Sequence, residues 1–207
     1  MAARAVAGTD TRAPTWPLVG ARRGRATVRE RPTAGLTIVL RDAADADHDA
    51  IDALLRASFE TDAEAKLVRA LREQGDAPIE LVAEAAASAG LPRVVGHILF
   101  SPIHIDQGDG RLRALGLAPL AVDPAYRRRG IGKALVRQGL RVCQGVRAGA
   151  VFVLGEPAYY QSLGFETASD HGFTNPFGVD EPFMVRLLRP LTGPAGMAKY
   201  APAFDAL

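Results

Sequence analysis

Cysteine is nearly absent: Cys143 is the only one in 207 residues. That excludes a disulfide within the chain and a cysteine-built metal cluster, and a reducing, cytoplasmic setting is the expectation. No apolar run approaches the ~20 residues that carry a helix across a bilayer, so no membrane partner is expected. The N-terminus is Arg-rich without the continuous apolar stretch of a secretory signal. The four histidines, His48, His97, His104 and His171, show no metal-ligand spacing, so no metal site is expected. Aromatics are scarce at 6%, and Trp16 is the only one in residues 1–35. A basic arm for nucleic acid is therefore not the expected use of that segment, and RNA association stays a minor alternative.

What is present suits one domain with loose ends. Hydrophobic residues make up 48% and charged residues 23%, which allows a sizeable buried core. The net charge of +2 conceals a segregation: about +5 over residues 1–35, −8 over 36–110 and +5 over 111–207. An acidic half beside a basic half suits a cationic substrate next to an anionic cofactor, although unevenly charged solvated faces give the same count.

Residues 1–35 alternate small residues, Arg and Pro without a sustained period and read as a disordered extension. Ordered structure is expected from Leu36–Arg41, an alternating first strand. Asp47-His48-Asp49 offers an N-cap and acidic first turn for a helix with Ile51, Leu54, Leu55 and Phe59 on one face. A second helix opens at Asp62, carries Leu67, Val68 and Leu71, and stops at Gly75. Strands follow at Ile79–Ala86, Arg93–Ile105 and Arg111–Val122, then a helix over Gly130–Gln144 with Cys143 inward as a buried structural thiol. Ala150–Leu154 is wholly apolar and reads as a buried central strand. Pro157 starts a short helix ended by Gly164, Phe165 begins another strand, and Phe183–Leu188 closes the sheet. The order β-α-α-β-β-β-α-β-α-β-β is an α+β layout, with residues 36–189 as the domain and 190–207 as a tail packed on or near it.

The chemistry concentrates in Leu120-Ala121-Val122-Asp123-Pro124-Ala125-Tyr126-Arg127-Arg128-Arg129-Gly130-Ile131-Gly132-Lys133. A strand ends, proline breaks the ladder, and an Arg-Gly turn leads into a helix N-terminus. Such an end has unpaired N–H groups and a positive dipole, so it is a ready anion site. Gly130 and Gly132 remove Cβ atoms that would hold a diphosphate away from the backbone. A P-loop is excluded, because Arg127 and Ala134 stand where Gly and Ser or Thr are needed. A dinucleotide fingerprint fails at Leu135 and lacks a βαβ start.

The remaining match, Arg-x-x-Gly-x-Gly after Val122-Asp123-Pro124, resembles the GNAT superfamily of acyltransferases. The resemblance spans residues 36–189 and implies a mixed central sheet of about seven strands with flanking helices, splayed in the middle for the cofactor. It implies acetyl-CoA as acyl donor, with pyrophosphate held at Arg127, Arg128, Arg129, Gly130, Ile131, Gly132 and Lys133. The pantetheine arm would pair with Leu120, Ala121 and Val122, where a bulge parts this strand from Ala150–Leu154. Tyr160-Gln161-Ser162-Leu163-Gly164-Phe165 is similar to the family's Tyr-x-x-Leu-Gly-Phe segment. The resemblance makes Tyr160 the catalytic acid that protonates the departing thiolate, with Tyr159 as the alternative. Leu154–Tyr160 and the ending Lys199-Tyr200-Ala201-Pro202-Ala203-Phe204 look like a bacterial YhbS-like subgroup.

One departure matters. Gly116 stands where some members of the family place a general-base Glu, and Arg111–Val122 holds no carboxylate or histidine. His97, His104, Glu80 and Glu84 lie on the two preceding strands, and none is singled out as the base. The expected activity is transfer to a primary amine, protein or small molecule, by direct attack in a ternary complex; the acceptor would lie among the two early helices and the 101–110 and 168–181 segments. The alternative is a catalytically idle acyl-CoA-binding regulatory module. Either a monomer or a homodimer fits.

Overall fold

The computed structural model describes residues 37–86, 92–106, 112–191 and 194–206. The expected N-terminal extension at 1–35, and the turns expected at 88–90 and 108–110, lie outside those residues.

The period-two and wholly apolar segments form strands β1 (Thr37–Asp42), β2 (Ile79–Ala86), β3 (Arg93–Asp106), β4 (Ala114–Val122), β5 (Ala150–Leu154), β6 (Glu166–Thr167), β7 (Phe183–Leu187) and β8 (Met197–Tyr200). They make one mixed sheet in the order β1-β2-β3-β4-β5-β7-β6, with β8 pairing β3. All ladders are antiparallel except β4 with β5. The fourth helix separates β5 from β6, and α1 (His48–Ser58), α2 (Ala63–Gln74), α3 (Ile131–Gly145) and α4 (Pro157–Gln161) complete the layers.

Apolar spacing decides which face each helix takes. Ile131, Leu135, Val136 and Cys143 of α3 bury against Val95, Ile98, Phe100, Leu115 and Val151 on one side of the sheet. Ile51, Leu54 and Leu55 of α1 and Leu67, Val68 and Leu71 of α2 bury against Val82, Leu99 and Ala121 on the other. Side chains alternate across a strand, so β4 sends Leu115 and Leu117 toward α3 and Ala121 toward α1.

Two expectations need correcting, and one element was not expected at all. Within the 190–207 segment, β8 aligns Met197–Tyr200 with Ile103–Asp106 and makes an eighth strand. Four residues without alternating apolarity carry too little period to announce a strand; an available sheet edge recruits them. The strand expected from Arg111 begins at Ala114, and Arg111 lies outside the described residues. Asp47 precedes α1 but makes no side-chain cap bond to it. Its carboxylate instead accepts from the Ala44 N–H at 2.8 Å and from Arg41 at 2.6 and 2.8 Å. The bidentate Arg41 guanidinium is the strongest of these partners and fixes the carboxylate outside the helix.

Candidate active site

β4 and β5 pair only over Ala114↔Ala150, Leu115↔Val151 and Gly116↔Phe152. β4 then runs on to Val122 without a β5 partner, which leaves one edge of Leu117–Val122 facing a gap. On its other edge the register with β3 shifts between Ile98↔Leu120 and Phe100↔Leu117. Pro119 lies within that irregular stretch and has no N–H to give a ladder. Pro119 is thus the sequence signal for the bulge that the spacing of apolar residues did not show.

The gap continues into a cleft of about 500 Å³ lined by Ser58 and Phe59 at the end of α1, Leu120–Val122 of β4, and Tyr126, Arg127, Arg128 and Gly130–Lys133 at the start of α3, with Tyr159 of α4. Nine of the ten residues expected at the cofactor site, all but Arg129, therefore share one concavity. The first intrahelical bond of α3 runs from the Ala134 N–H to the Gly130 carbonyl at 2.9 Å. No side chain caps this end, and its first turn holds no acidic residue. The amides of Ile131, Gly132 and Lys133 thus meet the cleft uncapped, at the positive end of a 15-residue helix.

Gly130 adopts φ 82°, and Arg128 φ 60°. A Cβ at Gly130 would meet the carbonyl oxygen in this left-handed region, so the turn into α3 depends on glycine there. At Gly132 the reason is space instead. An added Cβ would lie 2.7 Å from the Tyr159 hydroxyl and 3.6 Å from Val122.

The basic side chains divide their work. Arg127 Nε donates to the Val122 carbonyl and Nη2 to the Ser58 carbonyl, each at 3.1 Å, tying the end of β4 to the end of α1. Arg129 Nη2 donates to the Ala125 carbonyl at 3.3 Å, and its guanidinium lies 5.5 Å from the Tyr126 ring centroid. Lys133 Nζ lies 5.8 Å from the Tyr159 ring centroid. Arg128 is exposed at the cleft wall.

The two tyrosines of α4 face different surroundings. Tyr159 is half-buried on the cleft, and burial pushes its hydroxyl above the ordinary phenol range. Tyr160 is 8% exposed, packs edge-on against Phe165 and lies over Gly155. Burial first, and then the neighbouring Tyr159, push its hydroxyl further up. Both phenols thus keep their protons near neutrality.

The structure sorts the remaining ionisable candidates. His97 is fully buried, and its Nε2 lies 2.7 Å from Glu80. Burial pushes the Glu80 carboxyl up, but hydrogen bonds from His97 and Arg72 outweigh that and hold it at about 2. Burial also pushes the imidazole below its usual range. An ionised carboxylate only accepts, which assigns the proton of neutral His97 to Nε2. Glu84 is engaged by Arg41 at 2.7 Å, and His104 is exposed opposite Lys199. Cys143 is fully buried and its thiol is pushed up to about 12, which makes it inert. Among the described residues no His, Cys, Asp and Glu cluster is placed to hold a metal, and no helix is long and apolar enough to cross a membrane.

Known proteins share this chain's sequence pattern and fold. The acetyltransferase (GNAT) domain family matches residues 80–167. A protein of Escherichia coli K12 named uncharacterized N-acetyltransferase YhbS is 41% identical over 162 residues, covering 77% of this chain and 93% of the relative. The crystal structure of E. coli YhbS in complex with CoA superposes with a TM-score of 0.75 at 38% identity, over 85% of this chain and 96% of that one. A Brucella melitensis GNAT acetyltransferase in complex with acetyl-CoA gives 0.65 at 29% identity, over 81% and 98%.

Proposed function

From the premise that this chain belongs to the GNAT family and is an N-acetyltransferase, we propose that it moves the acetyl group of acetyl-CoA to a primary amine by direct attack in a ternary complex. One observation carries the donor side of this reading: the uncapped N-terminus of α3 opens onto the unpaired edge of β4 within one cleft. A diphosphate fits the amides of Ile131, Gly132 and Lys133, with Arg128 and Lys133 supplying charge. Arg127 acts mainly by holding Val122 and Ser58 together, and Arg129 by holding the turn. An arm bearing two amides fits the free edge of Leu120–Val122 as an added strand would.

The residues of this chain then position and protonate. With the amine held against the thioester carbonyl, proximity and oriented N–H donors supply much of the acceleration, so a carboxylate at Gly116 is not required. The amine attacks in its neutral form: its nitrogen forms the C–N bond, the C–S bond breaks, and sulfur leaves with the electron pair. The surplus proton on nitrogen passes to water, from which Tyr160 later recovers its own. Tyr160 supplies the proton to sulfur. Burial keeps that proton in place until charge builds on the sulfur. The acceptor enters among the two early helices and the 168–181 segment; in that segment Phe177 is 49% exposed and Asp170, Asp180 and Glu181 lie at the surface. These carboxylates favour a cationic amine, protein or small molecule.

Thiol release from acetyl-CoA across a panel of primary amines tests this reading. Amine-stimulated release is expected, and Tyr160→Phe should lower kcat by about 100-fold while leaving acetyl-CoA binding within a few-fold. Binding without amine-stimulated release would refute transferase chemistry. A fully active Tyr160→Phe would remove that residue from the acid role.

A further inference from the structure

The sequence run Lys199-Tyr200-Ala201-Pro202-Ala203-Phe204 has no place in the cleft, yet it ends at the point where the sheet opens. Tyr200 pairs with Ile103 as the last residue of β8. Its ring covers Gly116: a Cβ there would lie 2.5 Å from Tyr200 Cε1 and 2.9 Å from Cδ1. Gly116 and Phe152 form the last paired position before β4 and β5 part. Phe204 and Phe177 hold the ring, with centroids 4.8 and 5.9 Å away. A residue from the far end of the chain thus fills the space that the missing Gly116 side chain leaves.

The hydroxyl at the end of that ring is buried and has no hydrogen-bond partner among the described residues. Ser101 shows the same condition independently. It is fully buried, its hydroxyl has no partner among the described residues, and it stands directly opposite Gly116 in the ladder. Directly paired residues point to the same face of a sheet, so both hydroxyls belong to the face that Tyr200 covers. A buried hydroxyl left without a partner is costly, and natural folds rarely leave two on one face of a sheet unless something else completes them. Burial, then the nearby Tyr160, push the Tyr200 phenol above its ordinary range, so it is a donor at neutral pH.

We propose that the Tyr200 hydroxyl donates a hydrogen bond to the acyl carbonyl oxygen of a thioester lying between β4 and β5, so that the C-terminal strand completes the acyl end of the site. The proposal rests on the acetyl-CoA reading above. As the amine attacks, negative charge grows on that oxygen and the O–H···O bond strengthens. When sulfur leaves with its electron pair, the carbonyl re-forms, and Tyr200 keeps its proton throughout.

The test compares dissociation constants of CoA and acetyl-CoA for the full chain and for Tyr200→Phe, which keeps the ring over Gly116. CoA lacks the acyl oxygen, so its affinity should stay unchanged. The preference for acetyl-CoA over CoA should fall about fivefold to tenfold, the loss of one hydrogen bond. A structural role, or a water bridging Tyr200 and Ser101, shifts both ligands alike; an unchanged preference with CoA still bound overturns this proposal and leaves the proposed function standing. Failure of the parent to bind CoA removes both. Infrared spectra of acetyl-CoA labelled with carbon-13 at the carbonyl give a check on the parent itself. The carbonyl band should move to lower frequency on binding and move back in Tyr200→Phe; a band that stays put in the parent overturns the assignment.

Discussion

Replacing Glu80 with Gln probes the buried polar group between α2 and the sheet. Glu80 and Arg72 keep side-chain exposures of only 10% and 15%, so solvent screens their ion pair little. Glu80 also accepts from His97 at 2.7 Å. Its carboxyl is held at about 2 against an ordinary 4.5. A depression of that size is worth about 3 kcal/mol of folding stability near neutrality. That agrees with the 3–5 kcal/mol typically lost when one partner of a buried pair is removed and the other charge is stranded. Because the folded pKa lies below the unfolded one, this stability is fully present above about 4.5 and disappears as pH falls toward about 2. His97 adds a loss of the same sign at higher pH. Its folded pKa lies below 6.5, so the unfolded chain takes up that proton first on acidification. Urea unfolding from pH 7.5 to 3 should show Glu80→Gln about 3 kcal/mol less stable at pH 7.5, with a penalty that shrinks at the acid end. In a thermal melt at pH 7.5, the same loss lowers Tm by about 6–12 °C. A penalty under about 1 kcal/mol at pH 7.5, or one that stays constant down to pH 3, would show that the ion pair does not carry this stability.

Gly132→Ala should weaken CoA binding about tenfold, because the new Cβ must displace the Tyr159 hydroxyl from the cleft; unchanged affinity by calorimetry would detach Gly132 from the anion site. Gly130→Ala should cost about 1–2 kcal/mol in urea unfolding through its positive φ; no loss would show that the turn relaxes freely. Phe204→Ala should cost about 3 kcal/mol, since its ring is 9% exposed and packs on Tyr200; a smaller effect than a surface substitution would mean the tail is not anchored through it. Cys143 should resist iodoacetamide at pH 8 in the native protein and react only on unfolding, given a thiol pushed up to about 12; labelling by mass spectrometry under native conditions would contradict its burial.

The parts legible in the sequence are those written in local pattern. α3 follows from Ile131, Leu135, Val136 and Cys143 at helical spacing, and β5 from the uninterrupted Ala150–Leu154 run, because burial of an apolar face needs a fixed period. The turn proposed to hold the diphosphate follows from glycine at 130 and 132 before such a helix. Pairing between distant segments has no such period. Nothing adjacent in sequence says that Arg127 reaches Ser58, 69 residues away, or that His97, Glu80 and Arg72 join under α2. The same holds at Gly116. The sequence shows a missing side chain there, while only the docking of β8 on β3 brings Tyr200 over the gap. Local chemistry thus determined the loop that suits a diphosphate, and tertiary packing decided what covers Gly116, the proposed acyl end. Long-range contacts form only where the whole sheet closes, so no short stretch of chain encodes them.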